Sequence, residues 1–371
     1  MENKKVSEAS SYSEVPARRP KRLRRMIGVV AMGLAGLLVV GEGVARFGLG
    51  LGDPPLSIAD PQIEYLFKPS MSCRRFGRHI SFNAYSMRSG PTTQKKTDPG
   101  EVRVLVVGDS VVYGGVQSDD SEIATALLEP RLRDVLHRPV YVGNISAGSW
   151  GPPNMLAYAR RFGWFDADVV VIVLSSDDYC DVPSFKPTVG VSAAFPDRKP
   201  VLALQELVTR YVLPRLSKAG ATTEKPQTEE AKAGDIATAL EAVREMVRSA
   251  RGAGARVIIA QHLTVQELNG HAEPGHAAIA GVAKEMDVEL VELGPAFQRA
   301  RGGGGGGLSG FNPSVVAGAA GDGGCAFATN CGGGAGGGDA ADDASGWWMR
   351  SGGEPKAFGC ASAWMVDVEL D

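Results

Sequence analysis

The sequence predicts a three-layer α/β domain over about residues 101–300, built on a parallel sheet of five strands in the order 2-1-3-4-5. Three observations lead there. Five apolar runs of strand length alternate with segments of helical period. The runs are continuously apolar, as strands covered on both faces are. Right-handed crossovers then leave few orders open to strands joined by helices. Ligands of such sheets bind at the carboxyl ends of the strands, near the point where the order reverses, so chemistry is to be sought there.

The elements follow in chain order. Residues 1–25 form a basic leader, expected to be cytoplasmic, with eight Lys and Arg against three acidic residues. Met26 to Gly41 is uninterrupted apolar residues and glycine, slightly short of the ~20 residues that span a bilayer core. Extension to Phe47 reaches that length if Glu42 and Arg46, one helical turn apart, pair or snorkel at the interface. Residues 26–47 are therefore expected to be a transmembrane signal anchor, with the N-terminus inside by the positive-inside rule. A cleaved signal peptide, using Gly43-Val44-Ala45 as its small-x-Ala site, competes with this reading, and a buried core helix is a third. Both export readings place the body in the periplasm or otherwise outside the cytoplasm.

Residues 48–100, with Pro54-Pro55, Pro61 and Pro69, read as an irregular juxtamembrane segment. Val102–Val107 is the first strand. Ser118-Asp119-Asp120-Ser121 supplies the N-cap of a helix through Leu128, disturbed at Pro130. Val140–Asn144 is the second strand, Pro152–Phe162 a helix stopped by Gly163, and Asp168–Leu174 the third strand. Leu204, Leu207, Val208, Tyr211 and Val212 form one stripe of an amphipathic helix, and Lys218–Gly234 is a polar linker. Helix Asp235–Arg251, strand Arg256–Ala260, helix His276–Met286 and strand Val288–Leu293 complete the domain.

Composition excludes several functions. The net charge is −3, and removing the basic leader leaves −8 on the remainder, a balance that repels phosphate backbones and argues against nucleic-acid binding. Five cysteines without Cys-x-x-Cys and five scattered histidines give no zinc-ligand spacing. Gly302–Gly307 lacks the Lys-Ser/Thr of a phosphate loop, and no GxGxxG follows a strand. No cofactor or metal is expected.

Three strand ends carry chemistry. The first strand runs into Gly108-Asp109-Ser110, which sets a serine hydroxyl at a strand-to-helix turn, the position of an activated nucleophile. The second ends in Asn144-Ile145-Ser146-Ala147-Gly148-Ser149-Trp150-Gly151, whose glycines let backbone N–H groups approach a substrate oxygen. The third ends in Ser175-Ser176-Asp177-Asp178, which are equally well solvated loop charges.

Together these ends resemble the SGNH/GDSL hydrolase superfamily, in its membrane-anchored bacterial envelope branch, over roughly residues 60–300. Phe76-Gly77-Arg78, Asn83, Ser86-Met87-Arg88 and Arg103–Gly114 are similar to the lead-in and nucleophile block of that group. The resemblance implies a flavodoxin-like sheet and ester hydrolysis or acyl transfer, with acylated carbohydrate or other envelope esters as substrates. It implies Ser110 as nucleophile, with its own N–H as one oxyanion donor, and the backbone N–H of Gly148 (or of Ser149) as the second. Asp177 stands where the family has the asparagine of its third block; an ionised carboxylate there would repel an oxyanion unless it is protonated. The family's fourth block, an Asp-x-x-His after the last strand that carries the general base, is not found. His262 follows the fourth strand at the correct edge, but one strand separates that strand from the first, roughly 9–10 Å, too far for a direct Ser–His hydrogen bond. His262, His271 and His276 read as structural or rim residues. Three functions are expected in competition: an ester hydrolase, an O-acyltransferase modifying exported polysaccharide, and a non-catalytic binding module of the same fold.

Residues 301–371 read as a low-complexity, Gly-rich and unstructured tail, with 21 of the 48 glycines and three of the five cysteines in the last 70 residues. Trp347, Trp348, Trp364 and the cysteines are odd in a solvating linker. Gly, Ala, Arg, Trp and Cys mixed without pattern are what a GC-rich gene yields in a shifted frame, and the break falls where the Asp-x-x-His block belongs. A chain without that base keeps a rate roughly 10³–10⁴-fold or more below a complete triad.

Overall fold

The structure, a computed structural model, describes residues 21–213, 229–268 and 270–295. The tail 301–371 and nearly all of the basic leader lie outside the described residues.

Nine strands and eight helices are described. Helix α1 (Lys21–Gly43) continues through a π-helical turn, Val44–Gly48. Two antiparallel hairpins follow, β1 (Ser57–Asp60) with β2 (Glu64–Phe67), and β3 (Met71–Arg75) with β4 (Arg78–Phe82). The segment expected to be irregular is therefore ordered in part. Asp60 Oδ1 accepts the N–H groups of Gln62 and Ile63 and so closes the first turn. Phe76 and Gly77, both at positive φ, form the two-residue turn of the second, a geometry that matches strand twist.

The main sheet comprises β5 (Val102–Gly108), β6 (Val140–Ser146), β7 (Val169–Ser175), β8 (Arg256–His262) and β9 (Glu289–Glu292), all parallel, in the order β6-β5-β7-β8-β9. This is the 2-1-3-4-5 arrangement expected from the sequence. Helices α2 (Ser110–Tyr113) and α3 (Ala124–Leu136) lie on one face, where Val112 and Leu128 pack on Val104, Val106, Val142 and Ile258. On the other face lie α4 (Pro152–Phe162), α6 (Glu229–Gly252) and α8 (Pro274–Glu285), and Met155, Met246 and Ile279 meet Leu105, Val107, Ile172 and Ile259. Successive residues of β5 thus serve opposite layers, which is why the run had to be continuously apolar. Each such burial contributes about 1.5–3 kcal/mol.

Two helices differ from expectation. α3 starts at Ala124, with Ile123 at its N-cap, because the Asp119 carboxylate is already taken by the N–H groups of His79 and Ser121. It also runs through Pro130. The amphipathic stripe forms α5 (Ala203–Glu206) and a π-helical extension, Leu207–Val212. Leu204, Leu207 and Tyr211 pack on buried Ala45, Leu51 and Ala203, whereas Val208 and Val212 face outward. The remaining helix, α7 (Val265–Leu268), follows β8, and residues 229–234 of the expected linker are helical.

Candidate active site

Ser110 is the first residue of α2, directly beyond the carboxyl end of the interior strand β5. Asp109 caps the helix, its Oδ1 accepting the Val111 N–H at 2.8 Å. Gly114, at φ +76°, ends it after one turn. The loop beyond is fastened by Arg88, whose guanidinium is buried and donates to the carbonyls of Tyr113, Gly115 and Ser118 at 2.6–2.8 Å and to Asp120 at 2.9 Å. Arg88→Ala would strand those carbonyls, and a loss of about 3–5 kcal/mol is expected in chemical denaturation.

Ser110 lines a groove of about 620 Å³, open solvent at its mouth included, together with Gly148, Ser149, Tyr65, Phe67, Tyr113, Phe195 and Arg210. The structure therefore brings the serine and the Gly148–Ser149 turn to one cleft. Asp177 does not line it; the residue keeps solvent access, though its carboxyl is partly desolvated, in the 3-10 turn Ser176–Tyr179 that follows β7. Among the described residues no side chain hydrogen-bonds to Ser110 Oγ.

The Gly148–Ser149 turn is held from two sides. Tyr65, buried on β2, donates its hydroxyl to the Gly148 carbonyl. Ser149 sits at φ +59°, a strained setting for a side-chain-bearing residue. Gly151 lies so close to the Asp181 carbonyl that a Cβ would collide with it. Gly151→Ala is accordingly expected to cost roughly 1–3 kcal/mol, read as a lowered denaturation midpoint. A second, more polar cleft adjoins the first across Tyr65, Ser149 and Phe195, lined also by Glu64, Asp181, Ser184, Lys186 and Thr188.

Carboxyl groups converge at this edge of the sheet. Burial pushes the Asp109 carboxyl up, opposed by the charge of His262. Asp178 is pushed well up by burial and by Asp109, although the Ser175 N–H and hydroxyl both donate to it. Loss of water, then Glu273, raises Asp177 toward its protonated form. Asp181 is raised to about 7 by burial, with Asp109, Glu64 and Asp177 adding to it.

His262 is buried rather than on the rim, and its Nε2 has no hydrogen-bond partner among the described residues. The start of α8 presses on the turn after β7 so closely that a Cβ on Gly275 would collide with the Ser176 carbonyl. The strand order sets β7 between His262 and Ser110, as expected. His276 lies 3.5 Å from Glu267 and 3.4 Å from Glu292, bridging α7 and β9. Among the described residues no cluster of His, Cys, Asp and Glu could hold a metal ion.

No family model matches the chain, and no curated protein does. Solved structures of similar fold include TesA, at 18% identity over 58% of this chain and 91% of that one, with a TM-score of 0.35. The acetyl xylan esterase AlAXEase is similar at 10% identity over 54% and 81%, with a TM-score of 0.33. The lipase/acylhydrolase from Enterococcus faecalis is similar at 12% over 53% and 78%, with a TM-score of 0.32. The five-stranded parallel α/β sheet expected from the sequence is present.

Tyr65, Arg210 and the acidic group around Asp109 were not identified from sequence. Tyr65 lies in the segment read as irregular, and Arg210 on a helix far along the chain. No spacing signal links either to Ser110.

Proposed function

We propose that the chain is a membrane-anchored serine ester hydrolase of SGNH/GDSL type. The observation that carries the reading is that Ser110, at the carboxyl end of the interior strand β5, shares one groove with the Gly148–Ser149 turn. In this reading Ser110 Oγ attacks the ester carbonyl and the alkoxide departs with a proton. Water then cleaves the acyl-serine to return the hydroxyl and release the acid. The N–H groups of Ser110 and Gly148 meet the oxyanion. Asp177, which does not line the groove, is left without a part in this reading. No Asp-x-x-His follows the last strand, and without that base the oxyanion donors and binding alone would leave roughly 10³–10⁴-fold acceleration over water.

The polar cleft beside the groove fits a hydroxyl-rich leaving group and supports acylated carbohydrate as the ester. The same cleft would hold an acceptor sugar, which keeps polysaccharide O-acyl transfer as the second reading. Release of acetate from an acetylated glycan oligomer tests both. Hydrolysis predicts free acetate, abolished in Ser110→Ala. Transfer predicts acetate on an added acceptor, and a binding module predicts neither.

The apolar helix supports retention as an anchor with the body outside the cytoplasm. It runs 25 residues from Arg24 to Gly48, with the apolar window exposed. Cleavage after Ala45 would remove Glu42, whose carboxylate accepts the Ala203 and Leu204 N–H groups at 2.9 and 3.0 Å, and would open a chain at a buried alanine.

A further inference from the structure

The end of the apolar helix and the wall of the Ser110 groove belong to one continuous piece of structure. Glu42 caps α5 as described, and Arg46 donates to Glu42 at 2.7 Å and to the Val201 carbonyl at 2.9 Å. Gly41 sits in contact distance of Leu204 for any added Cβ. One turn further along α5, buried Glu206 accepts the Gly52 N–H and the Arg75 guanidinium, each at 2.6 Å. The π-helical extension then places Arg210 in the wall of the groove. Ala203 and Arg210 are seven residues apart, about 10 Å of helix. The groove therefore lies about two turns of helix from the point where the anchor leaves the bilayer, with no flexible linker between them.

The surface around that point is suited to lipid. Phe47, Phe76, Val201, Leu202, Val208 and Val212 are all exposed there, Phe47 and Val201 by more than four-fifths. They surround the helix exit: the Phe76 N–H donates to the Leu49 carbonyl, and Val201 to Val212 belong to α5 and its flanks. Arg74 and Arg198 are exposed beside them. Arg210 has no carboxylate partner among the described residues and stacks at 5.9 Å over Tyr211. Apolar side chains flanked by arginines, next to a helix that enters the membrane, make an interfacial seat on anionic lipid.

We propose that this seat holds the Ser110 groove against the bilayer surface, and that its ester substrate is carried by a membrane-resident anionic amphiphile, with Arg210 meeting the anionic group. The inference rests on the reading of residues 26–47 as an anchor and names the substrate class of the proposed hydrolase.

The test needs no turnover. The full chain is reconstituted in phosphatidylglycerol vesicles containing a phosphatidylglycerol with a diazirine in its acyl chain, irradiated, and its adducts mapped by mass spectrometry. Adducts are expected on α1, on Val201–Leu213 and on the groove wall at Phe67 or Phe195. Val135, at the opposite end of the sheet, should carry none. Arg210→Gln is expected to lower the groove adducts about fivefold, the scale of one basic side chain at an anionic surface, and to leave those on α1 unchanged. Adducts on α1 alone would overturn the proposal and leave the anchor standing. Absence of adducts on α1 would overturn the anchor itself, and the proposal with it.

Discussion

Glu206→Ala is expected to destabilise the domain by about 3–5 kcal/mol, the cost of leaving a buried guanidinium without its carboxylate. Arg75 is fully buried and Glu206 nearly so, and they meet at 2.6 Å. Two nitrogens of Arg75 already lack hydrogen-bond partners, so no other group stands ready to replace the lost carboxylate. The same substitution frees the Gly52 N–H and leaves α5 held by the Glu42 cap and its apolar stripe. Chemical denaturation should show the lost stability. Limited proteolysis should cut first within Val201–Leu213. Replacing both partners, Arg75→Met with Glu206→Leu, is expected to recover most of the stability, because the price of burying the pair disappears with it.

Asp181→Asn is expected to stabilise the protein at pH 8 and to have much less effect at pH 4. The carboxyl titrates at about 7 in the folded chain against 3.8 as its ordinary value. Between those two the folded state holds more protons than the unfolded one, so stability falls as pH rises through the window. The penalty is complete above about pH 7 and absent below about pH 4. Asparagine removes it, for a gain on the order of 2–4 kcal/mol at pH 8. Denaturation midpoints of both proteins across pH 4–8 check this: the curves should meet at the acid end and diverge toward neutrality. Asp109, Asp177 and Asp178 are pushed in the same direction, so part of the decline should persist in the variant.

The sheet was legible in the sequence because each central strand must be apolar on both faces, and Val169–Leu174 admits no other placement. The hairpins were not. Their strands are four or five residues long, polar residues interrupt them, and Phe76 occupies a left-handed turn position usually given to Asn or Asp. The start of α3 was misplaced because a capping sequence predicts a cap only if its carboxylate is free, and Asp119 is engaged by His79 from a distant strand. At the site, Ser110 and Gly148 were legible because both follow strands directly, and strand ends are where such sheets do chemistry. The burial that raises Asp109, Asp178 and Asp181, and the repulsion by Asp109 that adds to the last two, depend on how three turns converge, and Arg210 on where a remote helix docks. Neither leaves a local pattern in the chain.

The central claim is that Ser110 is a nucleophile set in a working groove, and one measurement reaches it directly. The full chain is incubated at length with an alkyl fluorophosphonate, which bonds covalently to a serine set beside oxyanion donors, and the adduct is located by mass spectrometry. The account predicts a single phosphonylated peptide carrying Ser110, absent from Ser110→Ala. It also predicts slower labelling in Arg88→Ala, where the loop after α2 loses its fastening. A folded chain that takes no label at Ser110, or takes equal label in Ser110→Ala, would contradict it.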